Sequence, residues 1–180
     1  MIARLAVALS AALTLCAAAA LAQPPEPDGY RMEEFRAPVP ATLTGATVAD
    51  TEAAEALWRS GGAAFIDVLP RAEKPANLPK GTIWRDKPHD SIPGAIWLPN
   101  VGYGALAAVT DAYFRAGLDA ATGGDRARPV LFFCLRDCWM SWNAARRAAL
   151  EYGYERVLWY PDGVDGWTEW MLPVERATPR

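Results

Sequence analysis

The residues most able to do chemistry are Cys134 and Cys138, in the run Phe133-Cys134-Leu135-Arg136-Asp137-Cys138-Trp139-Met140-Ser141. An apolar stretch, 129–133, precedes the first cysteine and a helical pattern follows the second, so the segment predicts a strand end opening into a helix start. Unpaired N–H groups and the positive end of the helix dipole favour an anion there, which predicts a depressed cysteine pKa in this loop. Arg136 adds positive charge to the same loop. If the loop makes a helical turn, the two Cα atoms come to about 6 Å, within the reach of a disulfide. So short a loop gains little stability from closure, which favours a reactive or ligand-binding pair over a staple. The bland alternative is two inert buried thiols.

Metal binding is the other use of such a pair. Two thiolates are too few for a closed zinc site, whereas copper(I) accepts two soft ligands, with Met140 or the lone histidine, His89, as a third. A single histidine in a loop is more often solvated than a ligand, and that is the expectation for His89. Asp67, at the end of a predicted strand over 63–68, is placed to accept hydrogen bonds and fix a nearby loop; an ordinary turn-capping aspartate would read the same way.

These side chains need a scaffold, and the chain supplies one. Asp50 predicts a cap for a helix reaching about Ser60, stopped by Gly61-Gly62. The strand over 63–68 follows, then a long surface loop from Pro70 to Pro93 carrying five prolines and all three lysines. A short strand over 95–98, a helix over 110–121, the strand over 129–133, a helix over 141–152, a strand over 156–160 and a short helix holding Trp167 and Trp170 complete the order. This alternation predicts an α/β domain with a mostly parallel sheet flanked by helices, and in such sheets ligands gather at the C-terminal strand ends. Trp139, Trp142, Trp159, Trp167 and Trp170 are expected to pack around the cysteine loop, with core packing the plain explanation and a platform for a flat ring the other.

The chain has 180 residues, enough for one domain, and a formal charge of -3 with no basic stripe, which sets nucleic-acid binding aside. Residues 1–22 hold one charge, Arg4, an apolar run and an Ala20-Leu21-Ala22 exit, the pattern of a secretory signal peptide cut before Gln23. A membrane anchor is the alternative reading, and lipid attachment at Cys16 is disfavoured by Leu15. Removing this segment takes one positive charge and one cysteine, leaving Cys134 and Cys138 in an oxidising compartment. Residues 23–43, rich in proline, predict an extended arm, and 44–175 the domain.

The landmarks Phe65-Ile66-Asp67-Val68, Ile92-Pro93-Gly94-Ala95, a strand ending in Cys134, Ser141 with Ala144-Ala145, Gly153-Tyr154 and Asp162-Gly163-Val164-Asp165-Gly166-Trp167 resemble, in order and spacing, those of a rhodanese-like domain over about 44–172. The run from Cys134 to Ala145 and the segment from Trp97 to Gly104 also resemble the exported CXXCW-motif proteins associated with PQQ-dependent catabolism. The resemblance implies a rhodanese-like single domain with Cys134 as nucleophile, and a periplasmic accessory of quinoprotein alcohol dehydrogenases with a proposed role in redox-cofactor binding. Catalytic rhodaneses carry persulfide on the matching cysteine, cradle it with loop N–H groups, and usually have arginine where Met140 stands. Arg136, Asp137, Trp139, Met140 and Ser141 form the matching loop. The second cysteine, Cys138, is an addition able to resolve a persulfide or sulfenate. Three expectations stand together: sulfur or redox transfer by the thiol pair, a copper or cofactor binding module, and a non-catalytic domain docking on a dehydrogenase or associated periplasmic protein through its arm and aromatic surface.

Overall fold

The computed structural model describes residues 23–180 except 73 and 86. The expected signal peptide lies outside the described residues. Among the described residues no helix is long and apolar enough to cross a membrane.

Among the described residues eleven elements follow one another: β1 (Ala46–Val48), α1 (Thr51–Ser60), β2 (Ala64–Asp67), β3 (Asp90–Ser91), β4 (Ile96–Trp97), α2 (Ala108–Thr122), β5 (Val130–Phe133), α3 (Trp139–Leu150), β6 (Val157–Tyr160), α4 (Gly163–Glu169) and β7 (Glu175–Arg176). The main sheet is five-stranded, in the order β1-β6-β5-β2-β4, with every pairing parallel. This is the α/β architecture that the alternation implies. β5 is central, and both its faces are buried, which is why its sequence, Val-Leu-Phe-Phe, is apolar throughout rather than alternating.

Successive residues of the central strands divide between two cores. Ile66, Val130, Phe132 and Trp159 join Leu98, Phe114, Leu118, Trp142 and Ala145 on one face. Phe65, Leu131, Phe133 and Tyr160 join Ala54, Ile92, Val164 and Trp167 on the other. The tryptophans therefore do not form one cluster about the cysteine loop. Trp139, Trp142 and Trp159 lie in the first core, Trp167 lies across the sheet, and Trp170 is 51% exposed. Position on opposite faces of the sheet, invisible as spacing along the chain, separates them.

Local chemistry sets the helix ends. The Asp50 carboxylate accepts from Ala53 N–H at 2.8 Å, and Gly61 closes α1 at φ 63°. α3 begins two residues before the expected Ser141. Cys138, extended at φ -118° and ψ 106°, occupies the N-cap, while Ser141 sits inside the first turn and donates back to the Cys138 carbonyl at 3.0 Å. Three short strands had no sequence signal: β1 at the sheet edge, and β3 and β7, which pair as a two-residue antiparallel ribbon, β3 within the long loop and β7 near residue 175. Contacts continue to the last residue, where Arg180 N–H donates to the Trp97 carbonyl at 3.1 Å.

Candidate functional site

Parallel pairing fixes the site. Asp67 pairs with Phe133 on one side and Trp97 on the other, so the C-terminal ends of β2, β4 and β5 finish level, and Cys134 is the next residue on the central strand. From there the chain makes a short loop and enters α3. Asp137 takes φ 53°, a left-handed turn that an aspartate tolerates better than most residues, and brings Cys138 back over Cys134.

The two sulfurs are 2.7 Å apart, both thiols are free, and they are 0% and 2% exposed. That distance exceeds a sulfur–sulfur bond, about 2.05 Å, and Cys138 Sγ is placed to donate to Cys134 Sγ. Their acidities diverge. Burial, the hydrogen bond with Cys138, and the charges of Cys138 and Asp67 all push the Cys134 thiol well up. Cys138 moves the other way, to about 7, first because Cys134 hydrogen-bonds to its thiolate, with further help from the backbone N–H groups of Met140 and Leu135 and the charge of Arg36, all against the opposing effect of burial. The acidic thiol is therefore Cys138, the one nearer the helix start. Cys138 occupies the N-cap position of α3, where free N–H groups converge. With both thiols protonated Cys138 donates to Cys134; once Cys138 ionises, the proton left on Cys134 donates back.

The proline-rich arm covers this pair. Arg36 lies antiparallel opposite Cys138, flanked by hydrogen bonds from Trp139 N–H to the Phe35 carbonyl at 2.9 Å and from Ala37 N–H to the Asp137 carbonyl at 3.1 Å. Two indoles tie the arm further, Trp139 Nε1–H to the Pro38 carbonyl and Trp142 Nε1–H to the Thr42 carbonyl, each at 3.1 Å. Asn143, fully buried, accepts from Arg31 N–H and donates to the carbonyls of Arg31 and Gly102. Val39 and Leu43 are buried in the first core. The arm has little regular structure of its own, as its prolines predict, but it is tightly packed.

The other expected loop residues divide. Arg136 does not serve the thiols: its guanidinium makes two 2.6 Å hydrogen bonds to Glu169 and a 3.2 Å one to Asp162, and its N–H donates to Asp165. The cation that acts on Cys138 is Arg36, from the arm. Ser141 is not free to hold an anion either, since its Oγ donates to Cys138 and accepts from Trp159 Nε1–H at 3.0 Å. Met140 is buried in α3 and contributes its backbone N–H to Cys138.

Asp67 is fully buried. Its Oδ1 accepts from Leu69 N–H at 2.9 Å, and its Oδ2 from Ser91 Oγ–H at 2.5 Å and His89 Nε2–H at 2.6 Å. His89 is therefore not a solvated loop histidine. It is 9% exposed, and its ring packs against Trp97 at 4.7 Å between centroids. Among the described residues no three His, Cys, Asp or Glu side chains gather into a group able to hold a metal, so His89 does not complete a ligand set with the cysteines.

Arg36, Ser91 and Asn143 were missed from sequence, and His89 was given the wrong setting. Asn143 left a trace, a lone amide between Trp142 and Ala144 on an apolar helix. Nothing local marks Arg36 or pairs His89 with Asp67, 22 residues away.

No family model matches the chain, and no curated protein does. Among solved structures, a thiosulfate sulfurtransferase from Pseudomonas aeruginosa is similar at 17% identity and a TM-score of 0.48, covering 75% of this chain. The chain spans only 21% of that protein's length. A protein from Lactobacillus plantarum is similar at 20% identity, a TM-score of 0.44 and coverage of 72% and 87% of the two chains. The polysulfide-sulfur transferase homodimer of Wolinella succinogenes is similar at 18% identity and a TM-score of 0.43, over 73% of this chain and 79% of that one.

Proposed function

We propose that the chain is an exported rhodanese-like thiol protein that transfers sulfur or electrons through Cys134 and Cys138, as an accessory to PQQ-dependent alcohol oxidation. The observation that carries the thiol chemistry is the 2.7 Å pair itself, with one acidic and one non-acidic sulfur. The alcohol-oxidation context and the periplasmic location rest on the sequence resemblance and the leader-like first 22 residues.

The ionisation order assigns the steps. Cys138 thiolate attacks a sulfur of a partner disulfide, forming a mixed disulfide and releasing one partner thiolate. Cys134 then loses its proton and attacks Cys138 Sγ. The 134–138 disulfide forms, the second partner thiolate leaves, and two electrons have passed to the partner. With a persulfide donor, Cys138 instead takes the outer sulfur and the donor thiolate leaves. Attack by Cys134 then expels hydrosulfide and forms the same disulfide, which an external dithiol must reduce. Cys138 leads in both cases, reversing the order that the rhodanese resemblance implies.

Glutathione disulfide provides the test. Wild-type protein should yield the 134–138 disulfide by mass spectrometry, Cys134→Ser a trapped glutathione adduct at Cys138, and Cys138→Ser neither. Thiols that stay free in all three overturn the reading. Growth on short alcohols should fail for both variants if the context is right and proceed normally if it is wrong.

A further inference from the structure

The proline- and lysine-rich segment 70–93 does more than connect strands. Against the ends of β2 and β4 it encloses a cavity of about 530 Å³, within the usual range for small-molecule sites, lined by Trp84, Arg85, Lys87, His89 and Trp97 among others. A second hollow of about 650 Å³ adjoins it through Trp84 and runs on to Lys74, Tyr113 and Arg180.

His89 forms a polar wall of the first cavity. Its Nε2–H is committed to Asp67. Its Nδ1 makes no hydrogen bond, yet no side-chain N or O atom buried among the described residues lacks a partner. Nδ1 is therefore reachable from the cavity that the ring lines, although the residue is 9% exposed. Holding an aspartate-bound imidazole with its other nitrogen open to a cavity is a costly arrangement for mere packing, because an alternative apolar residue would fill the space without desolvating a polar ring.

Charge and shape narrow the occupant. Arg85 and Lys87, both exposed, line the cavity and bring positive charge to its edge, and neither enters an ion pair among the described residues. Trp84 and Trp97 supply flat apolar walls. An anion seated here receives charge from Arg85 and Lys87 and, when a proton sits on Nδ1, a hydrogen bond from His89, whose other ring nitrogen is held by Asp67. Ser91 bonds to the same Asp67 oxygen, which fixes the carboxylate and, through it, the ring.

We propose that this cavity binds small organic anions with a flat apolar body, an aryl carboxylate or aryl phosphate, with the open nitrogen of His89 as its directional contact. The site uses neither cysteine and stands or falls apart from the thiol chemistry.

His89 is the chain's one histidine, so its imidazole resonances are unambiguous in nitrogen-15 NMR of untagged protein lacking residues 1–22. Benzoate and phenyl phosphate, titrated separately, report which head group is preferred. At least one should shift the His89 nitrogens saturably, Nδ1 more than Nε2. Inorganic phosphate and benzyl alcohol should each bind at least tenfold more weakly, since each lacks one half of the recognition. An Arg85→Gln, Lys87→Gln double variant, both positions exposed, should weaken the better anion at least tenfold while the rest of the spectrum stays unchanged. Non-saturable shifts with both aryl anions, benzyl alcohol binding as tightly as they do, or undiminished affinity in the double variant would each overturn the proposal.

Discussion

At the scale of single residues, the divergence between two neighbouring thiols follows from what each sulfur touches. Cys138 gains a donor from Cys134 and N–H groups from the turn, whereas Cys134 is deeper and lies near Asp67. A thiol whose pKa falls to about 7 is protonated below that pH and ionised above it, so alkylation of the folded protein should rise through pH 7 and level off by about 8.5. Because the Cys134 hydrogen bond is the largest of the lowering causes, Cys134→Ala should return Cys138 towards an ordinary thiol. Iodoacetamide labelling at pH 7 should then slow by roughly tenfold, provided arm exposure is matched by measuring both proteins in the same mild urea. An unchanged pH profile would assign the acidity to the backbone N–H groups instead. Asp67 makes a separate residue-scale prediction. It accepts three hydrogen bonds while wholly buried, and Asp67→Asn sets an amide N–H2 against at least one of those donors. Urea denaturation should show a loss of about 1–3 kcal/mol.

At the scale of elements, the arm is the one whose role its composition conceals. Its prolines correctly predict an absence of helix and strand, but extended segments expose every backbone group, and here those groups are met by Trp139, Trp142 and Asn143 of α3. Asn143 is the clamp, bonding both backbone groups of Arg31. Asn143→Ala should cost about 2 kcal/mol by chemical denaturation and, more tellingly, release the covering strand, so that labelling of Cys138 in the folded protein accelerates several-fold. Stability lost without faster labelling would mean that Phe35 to Ala37 stay seated through their own two hydrogen bonds to the cysteine turn. The regular elements were far more legible. The Asp50 cap and Gly61 stop delimit α1 as observed, and β5 stands out as an uninterrupted apolar run. The start of α3 was misplaced because serine is a far more familiar N-cap than cysteine, and Ser141 drew the boundary two residues inward. Strands of two or three residues, such as β1, β3 and β7, are too short for periodicity to register.

At the scale of the whole molecule, the site depends on two layers meeting at the end of β5. The sequence order of strands and helices implied the parallel sheet, and the sheet implied that Asp67 and Cys134 would share an edge. It could not say which tryptophans lay on which face, nor that residues 31–43 of the arm and 89–91 of the mid-chain loop would return to that edge. One junction binds the second layer to the chemistry: Val164 N–H at the start of α4 donates to the Cys134 carbonyl at 2.9 Å, and Gly163 lies opposite Leu135. Gly163 is at φ 53°, and a Cβ there would stand 2.3 Å from the Cys134 carbonyl oxygen, a backbone atom that cannot swing aside. Gly61 offers the matched comparison, with φ 63° and open space where its Cβ would go. Gly61→Ala should therefore cost only the left-handed backbone penalty, about 1 kcal/mol. Gly163→Ala carries that same penalty plus a collision that must push α4 away from the strand or drag Cys134 with it. Denaturation should show a loss at least twice that of Gly61→Ala, and only the Gly163 variant should move the pH midpoint of Cys138 labelling, since displacing Cys134 breaks the hydrogen bond that holds Cys138 near 7. Equal losses in the two variants, with labelling unchanged, would show that the α4 layer can shift without disturbing the thiols.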